Sequence, residues 1–279
     1  MHFTNARDGG GFFPPEQVEE LRNKLHQAPT VFGELSSRWT LKLIQKVCDW
    51  LAGYSWSGIW RILQALEVHY KRGQQQIYSP DPDYESKRQR IQACIQAAVE
   101  HPGEIVTVCE DEFSFYRWPT VARIYAPSGR KQPVARMTPG YNTRGRVAIA
   151  LDVFDGSLVY RQRAHIDVPQ LVGLLYDIRS RYPQAKIIYL IQDNWHNVHF
   201  HADQVAAAEC LGIQLVPLPT YAPWLNPTEK VGRKMRQDVV HMHSLSDQWP
   251  RLKDFVCAFL DQYANGSSEL LRYVGLSPA

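Results

Sequence analysis

The sequence lacks the long apolar segments and paired cysteines that are typical of membrane and disulfide-stabilised proteins. No run of about 18 apolar residues occurs in the 279 residues, which argues against a transmembrane helix. The first residues, as far as Gly11, contain no apolar core of a signal peptide. Five widely spaced cysteines form no C-x-x-C pair, so we expect reduced thiols in a cytoplasmic, nucleoid-associated protein.

The net charge is small, but the charged residues are unevenly distributed along the sequence. A net charge of +3 gives no argument for nucleic-acid binding by itself. Between Arg117 and Arg146, however, there are seven basic residues and no acid, which suits contact with a phosphate backbone. A solvated basic hairpin is the alternative. The candidate DNA contacts in this stretch are Arg117, Arg130, Lys131, Arg144 and Arg146.

Two acidic positions follow predicted strands. The apolar, β-branched run Ile187–Ile191 indicates a buried strand, and Asp193 lies where it ends. The run Ile105–Cys109 predicts another strand, which ends in the consecutive acids at 110, 111 and 112. A strand-end acid is often only a turn residue, but several in one α/β pattern favour a carboxylate cluster.

A third acid lies at the start of a predicted helix. Asn226 is a good N-cap and Pro227 suits the first helical position, so Glu229 falls three residues after the cap. One interpretation is a capping box, in which Glu229 bonds back to the Asn226 amide. The other is a metal ligand, because clustered carboxylates repel unless cations accompany them.

Together these segments resemble a known family. Glu110-Asp111-Glu112, Asp193-Asn194-Trp195 and Leu218–Lys230 resemble the three acidic motifs of DDE transposases, in particular the IS 630 family of the mariner-like superfamily. The 35 residues between Asp193 and Glu229 are close to the short spacing typical of that superfamily. Ser79–Tyr84 and Leu270–Leu276 extend the resemblance over roughly residues 38 to 276.

The resemblance implies a DNA transposase with a two-metal site. Asp111, Asp193 and Glu229 would be the catalytic residues and would hold two Mg²⁺ or Mn²⁺ ions, which prefer carboxylate oxygens. Strand alternation leaves open which of the consecutive acids takes part, and the family's Asp-Glu order points to Asp111. The implied reaction nicks transposon ends and joins the freed 3′-hydroxyl to target DNA, usually at TA.

The implied partners are double-stranded DNA, as inverted repeats and target, and a second copy in a homodimer on DNA. Arg233 and Arg236 share the helix face of Glu229, so we include them as candidate phosphate contacts beside the alternative of a solvated face. The histidines match no standard zinc spacing, and we expect them to pack at a helix start. They are His196, His199, His201, His241 and His243.

Upstream of the acids, the pattern predicts a helix-turn-helix. Leu41–Leu51 and Gly58–Val68 are amphipathic helices around Gly53-Tyr54, although a plain helical hairpin has the same spacing. Arg61, Lys71 and Arg72 are the candidate phosphate contacts. We divide the chain into a partly helical lead (1–37), the helix-turn-helix (38–72), a linker with a connector helix (73–103) and a catalytic domain (104–279).

The expected fold of residues 104–279 is an α/β, RNase H-like mixed sheet flanked by helices. The predicted strands are 105–110, 121–126, 147–153, 187–192 and 213–217. The predicted helices are 168–181, 199–211, one from Asn226 and one whose apolar face includes Leu252, Phe255, Val256, Phe259, Leu260 and Tyr263.

Two departures from the family pattern favour a decayed copy. The chain begins without the further helix-turn-helix unit that relatives usually carry. Gly232 stands where relatives have a bulky aromatic, which predicts a helix penalty of roughly 0.5–1 kcal/mol and an unfilled gap. The alternatives are therefore a truncated or decayed remnant that binds DNA without catalysis, and an RNase H-like nuclease that only hydrolyses.

Overall fold

The computed structural model describes residues 13–71, 78–194 and 199–276. The candidate residues Arg72 and His196 lie outside these ranges. Two compact units make up the chain, and the division falls in the polar segment after Lys71. No helix in the described ranges is long and apolar enough to cross a bilayer.

The first unit is a small helical cluster. It contains α1 (Pro15–Leu25), α2 (Leu41–Val47) and α3 (Trp56–Ala65), which pack around a core that includes Leu21, Ile44 and Ile59. Helix α3 begins at Trp56 because the Ser55 hydroxyl accepts a hydrogen bond from the Gly58 amide at 3.1 Å. Both predicted helices are present but shorter than expected, since α2 gives way to a 3₁₀ turn at Asp49–Leu51.

The second unit is a five-stranded mixed sheet with helices on both faces. The strand order is β3-β2-β1-β4-β5, in which β1, β2 and β3 are antiparallel and β1, β4 and β5 are parallel. In chain order the elements are α4 (Tyr84–Glu100), β1 (Ile105–Tyr116), β2 (Arg144–Asp152), β3 (Leu158–Arg163), α5 (Val168–Arg181), β4 (Ile187–Gln192), α6 (Ala202–Leu211), β5 (Ile213–Pro217), α7 (Thr228–Met235), α8 (Trp249–Asp261) and α9 (Ser268–Val274).

The predicted strand at 121–126 is wrong. That segment forms no strand and is largely exposed, and the third antiparallel strand is instead β3. The sequence of β3 carries little signal because Tyr160, Arg161 and Gln162 are only partly buried and Arg163 is exposed, unlike a buried apolar run. The basic stretch is therefore mostly a long connection between β1 and β2, and only its last residues, from Arg144, belong to β2.

The expectation that β1 ends at its acids is also wrong. Strand β1 pairs with β2 as far as Tyr116 opposite Arg144, so residues 110–112 lie inside the strand. Its pairing with β4, by contrast, stops at Cys109 opposite Ile191. The acids thus lie at the point where β1 continues beyond its parallel neighbour, which opens one side of the strand to a cleft.

Alternation along β1 directs its side chains to two different cores. Phe113 and Phe115 pack against the layer formed by α7, α8 and α9. Val106 and Val108 pack against α5 and α6 on the other face. By the same alternation Asp111 shares the α7 side, whereas Glu110 and Glu112 share the α6 side.

The last long helix packs on the sheet as expected. In α8 Leu252, Val256 and Phe259 are buried in the same core as Phe113. Phe255 is the exception, with 46% of its surface exposed, although the sequence pattern placed it on the buried face.

Candidate active site

The three acids assigned from the sequence line one cleft. Asp111 of β1, Asp193 just after β4 and Glu229 in the first turn of α7 border a cavity of about 410 Å³. The remaining walls are formed by Asn194, Asn226 and the loop from Leu218 to Pro223. Residues from three separate parts of the chain are therefore brought to one surface.

Strand pairing accounts for the approach of the two aspartates. Cys109 lies opposite Ile191 in the parallel pair, and Asp111 and Asp193 are each two residues further on. Both aspartates therefore lie at equivalent positions just beyond the paired part of β1 and β4, at the edge where the carboxyl ends of neighbouring parallel strands meet. Asp111 is partly buried in the continuing strand, whereas Asp193 is exposed at the end of β4.

Asn226 fixes the start of α7 against β1. Its side-chain amide donates to the Glu110 carbonyl oxygen at 2.8 Å, and its Oδ1 accepts from the Thr228 amide at 3.2 Å. The Asn226 backbone amide donates to the Pro223 carbonyl at 3.0 Å, so it is not bonded to Glu229. The capping-box interpretation is therefore wrong, and Glu229 is exposed on the cleft.

Gly232 does not leave the gap that the sequence predicts. The space beside this buried glycine is taken by Phe113, since a Cβ added at 232 would lie 3.2 Å from Phe113 Cδ1. An aromatic contributed by β1 thus fills the volume expected for an aromatic on α7. The packing of α7 against the sheet gives no support for a decayed copy.

The cleft concentrates negative charge around Asp111. Burial, followed by the nearby Glu229 carboxylate, raises the pKa of Asp111 to about 7, and Glu112 and Asp193 add to the effect. The Glu112 amide, which donates to Asp111 Oδ1 at 2.8 Å, acts in the opposite direction. Carboxylates that repel one another in this way form an oxygen-only site that a divalent cation would stabilise.

A buried aspartate holds the loop that walls the cleft. Asp81 accepts from the Thr220 amide and from Lys87 Nζ, both at 2.8 Å, and Ser79 Oγ donates to the Thr220 carbonyl at 2.6 Å. The Lys87 hydrogen bond, followed by that from Thr220, lowers the pKa of Asp81 to about 2. The sequence shows Ser79–Tyr84 as a family-like segment but gives no sign of this contact over 139 residues.

Aromatic side chains border the same loop. Tyr221 lines the cleft with 70% of its surface exposed, and its φ of 54° lies in the left-handed region. Trp224 donates through Nε1 to the Tyr84 hydroxyl at 3.1 Å, which links the loop to α4. A non-glycine residue held at positive φ is a form of backbone strain that is common near functional sites.

The histidines divide into separate roles. His201 forms the N-cap of α6 and accepts from the Asp203 amide at 3.3 Å, in line with the expected helix-start role. His199 is buried, and its Nε2 lies 3.1 Å from Glu112 Oε1. His241 contacts Thr120, and His243 accepts from the Leu245 amide, so each has a partner other than Glu112.

The candidate DNA-contact residues differ in how available they are. The guanidinium of Arg117 bonds to Thr138 and to the carbonyl oxygens of Pro139, Tyr141 and Ser246, so its donors are used within the protein. Arg146 and Arg236 are partly buried. The exposed candidates are Arg61, Lys71, Arg130, Lys131, Arg144 and Arg233.

Comparison with known proteins agrees with this geometry. Residues 106–250 match the DDE superfamily endonuclease family. The chain is 24% identical over 236 residues to the insertion element IS630 uncharacterized 39 kDa protein of Shigella sonnei, an alignment that covers 84% of this chain and 67% of that protein.

Solved transposase structures share the fold. The Mos1 transposase paired-end complex with left transposon end is matched over 97% of this chain and 79% of that chain, with a TM-score of 0.64 and 15% identity. The Mos1 mariner paired end complex with Mn is matched over 98% and 79%, with a TM-score of 0.64 and 14% identity. The expected RNase H-like mixed sheet is thereby confirmed.

Proposed function

Since the chain belongs to the DDE superfamily endonucleases, we propose that it is a DNA transposase whose active site is formed by Asp111, Asp193 and Glu229. The resemblance to IS 630 family transposases is confirmed. The observation that carries the proposal is that these carboxylates line a single cleft.

Asp111, Asp193 and Glu229 would hold two Mg²⁺ or Mn²⁺ ions. The fit is supported by the oxygen-only donor set and by the raised pKa of Asp111, which is due first to burial and then to repulsion from Glu229 that a cation would relieve. Two such ions supply charge stabilisation for the attacking and leaving oxygens of a phosphodiester. Mos1 transposase has been solved in paired end complexes with Mg and with Mn.

The chain's own residues supply binding and orientation. Asn226 holds α7 so that Glu229 and Asp111 line the same cleft. The loop at Thr220 is held by the hydrogen bond that its amide donates to Asp81 and by the one that its carbonyl accepts from Ser79. A wall fixed in this way would position a DNA strand over the carboxylates, because catalysis by alignment depends on ligands that do not move.

The proposed substrates are the inverted repeats of a transposon and a target duplex, with joining at TA and a homodimer as the assembled form. Mos1 transposase has been solved with a left transposon end and as a strand transfer complex. The proposed phosphate contacts are the exposed Arg61, Lys71, Arg130, Lys131, Arg144 and Arg233, and the partly buried Arg146 and Arg236 are further candidates. Such a protein would act at the nucleoid in the cytoplasm.

The test uses the purified full chain with DNA that carries the terminal repeats flanking its gene, in Mg²⁺ or Mn²⁺. We expect nicks at the repeat ends, followed by products in which the 3′-hydroxyl is joined to a target at TA. Asp111→Asn, Asp193→Asn and Glu229→Gln should each abolish nicking while DNA binding persists. Glu209→Gln, which changes an exposed acid on α6, is the matched control and should remain active.

The products separate the alternatives. Nicking without any joined product would favour a nuclease that only hydrolyses. Binding without nicking in either metal would favour a remnant that no longer catalyses. Retained nicking in the Asp111→Asn variant would contradict the assignment of the active site.

A further inference from the structure

A second group of metal-ligand side chains lies on the other face of β1 from Asp111. Glu110, Glu112 and His199 each offer one ligand atom, and these atoms all lie within 4.8 Å of one another. His199 Nε2 is 3.1 Å from Glu112 Oε1 and 3.5 Å from Glu110 Oε2. Ligand atoms about 2.0–2.2 Å from a tetrahedral ion are separated by roughly 3.3–3.6 Å, so the 3.5 Å distance lies in this range and the 3.1 Å distance would need to lengthen slightly around a shared ion.

Glu110 is the most unusual member of the group. Its side chain is 2% exposed, and neither carboxylate oxygen accepts a hydrogen bond from any residue in the described ranges. An isolated buried carboxylate of this kind needs either a proton or a cation beside it.

The part of the chain that the structure describes leaves the charges of Glu110 and Glu112 without a matching lysine or arginine. Among the described residues, no lysine or arginine forms an ion pair with Glu110 or Glu112, and the nearby cationic group is the His199 imidazole. One imidazolium can neutralise one of the two carboxylates at most. A divalent ion bound by neutral His199 would instead neutralise both and would coordinate the carboxylate oxygens of Glu110.

The backbone of His199 is held in place for such a role. The side-chain amide of Gln192 donates to the His199 carbonyl oxygen at 2.5 Å, and that of Gln204 donates to Gln192 Oε1 at 3.1 Å, with both glutamines buried. Supporting hydrogen bonds that orient a ligand residue are a regular feature of metal sites.

We propose that Glu110, Glu112 and His199 form a site for one divalent transition-metal ion of the zinc class. The imidazole nitrogen favours Zn²⁺ or Co²⁺ over Mg²⁺, which prefers oxygen ligands and retained waters. The ion would join β1 to His199, two residues before the N-cap of α6.

The experiment removes the proposed catalytic ligands first. A full-length Asp111→Asn, Asp193→Asn, Glu229→Gln variant is stripped with a chelator, mixed with Co²⁺ and desalted. We expect about one Co²⁺ per chain by elemental analysis, with visible d–d absorption and an imidazole nitrogen among the ligands by X-ray absorption. Because this variant lacks the catalytic carboxylates, the result does not depend on whether the protein cleaves DNA.

Variants in the same background test the ligands. His199→Asn and Glu112→Gln should each weaken Co²⁺ binding by more than the roughly 10–100-fold that loss of an outer-shell partner costs. His201→Asn is the matched control: it changes an exposed imidazole two positions away, and asparagine can still cap α6. It should bind Co²⁺ as the parent does.

Two results would overturn the proposal. One is a parent variant that retains no Co²⁺ after desalting, which would indicate that a proton on Glu110 replaces the metal. The other is bound Co²⁺ with an all-oxygen ligand shell, a readout that requires no folded His199 variant.

Discussion

Exchanging an aromatic between β1 and α7 tests how α7, and with it Glu229, is held against the sheet. Gly232 of α7 and Phe113 of β1 are both buried, and a Cβ at 232 would meet Phe113 Cδ1 at 3.2 Å and Cγ at 3.4 Å. The two positions therefore share one volume, which Phe113 fills. We expect the substitutions Gly232→Phe and Phe113→Ala to compensate for each other.

The magnitudes follow from that shared volume. Phe113→Ala alone should cost about 3–5 kcal/mol of unfolding free energy, as a truncated core phenylalanine does. Gly232→Phe alone should cost about 1–3 kcal/mol or more through overpacking against Phe113. In the double variant the new ring on α7 occupies the vacated space, so its cost should be at least about 2 kcal/mol below the sum of the single costs.

Urea unfolding of the four proteins measures this coupling, and Phe115 provides the control. Phe115 lies on the same face of β1 and is 1% exposed, but it packs on Trp249 with ring centroids 5.4 Å apart, and the three atoms nearest to a Cβ added at Gly232 all belong to Phe113. Combining Phe115→Ala with Gly232→Phe should therefore be additive to within about 0.5 kcal/mol. If the Phe113 pair is equally additive, the two positions do not share a volume and the reasoning is refuted.

Three further predictions concern the cleft. The pKa of buried Asp111 is about 7 in the folded protein, so with chelator present its proton stabilises the fold at low pH and this stabilisation is lost as pH rises from about 4 to 7. The unfolding free energy of the wild type should therefore fall relative to that of Asp111→Asn across this window, by at most about 1.4 kcal/mol for each pH unit. Parallel curves of unfolding free energy against pH would contradict this. The pKa of Asp81 is lowered to about 2, so the stabilisation that its carboxylate gives is present above about pH 4 and is lost towards pH 2. Asp81→Asn should speed hydrogen exchange of the Thr220 amide at neutral pH. An unchanged exchange rate would exclude the contact. Because Tyr221 has a φ of 54°, Tyr221→Gly should be more stable than Tyr221→Val by about 1–2 kcal/mol in urea unfolding, and equal stability would show that the backbone is not strained there.

Local patterns were sufficient for much of the fold. The predicted bounds of α5, β4 and β5 agree with the structure, because each is a clear apolar run or periodic helix between turn residues. Strand β3 was missed because its residues are half-buried and largely polar, and 121–126 was wrongly assigned because a β-branched segment without a partner strand does not form a strand. Alternation and propensity describe one segment at a time, whereas pairing depends on the neighbour.

The candidate site shows a similar division. The spacing of Asp193 and Glu229 and the polar ends of apolar runs were visible in the sequence. The hydrogen bonds of Asp81 and Asn226 with residues more than 100 positions away were not, because they arise only when the sheet has formed. Nor did the sequence show that β1 continues past its acids, since that depends on the length of β2.

The continuation of β1 determines how one run of acids is divided. If the strand had ended at Cys109, Glu110, Asp111 and Glu112 would form a turn with no fixed directions. Because β2 pairs with β1 through Tyr116, each of these residues is held in the pleat. Asp111 is then directed to the side of α7 and Glu229, and Glu112 to His199 at the start of α6. A shift of the strand by one residue would reverse these faces, so the register between Cys109 and Ile191 is what selects the acid that reaches the cleft.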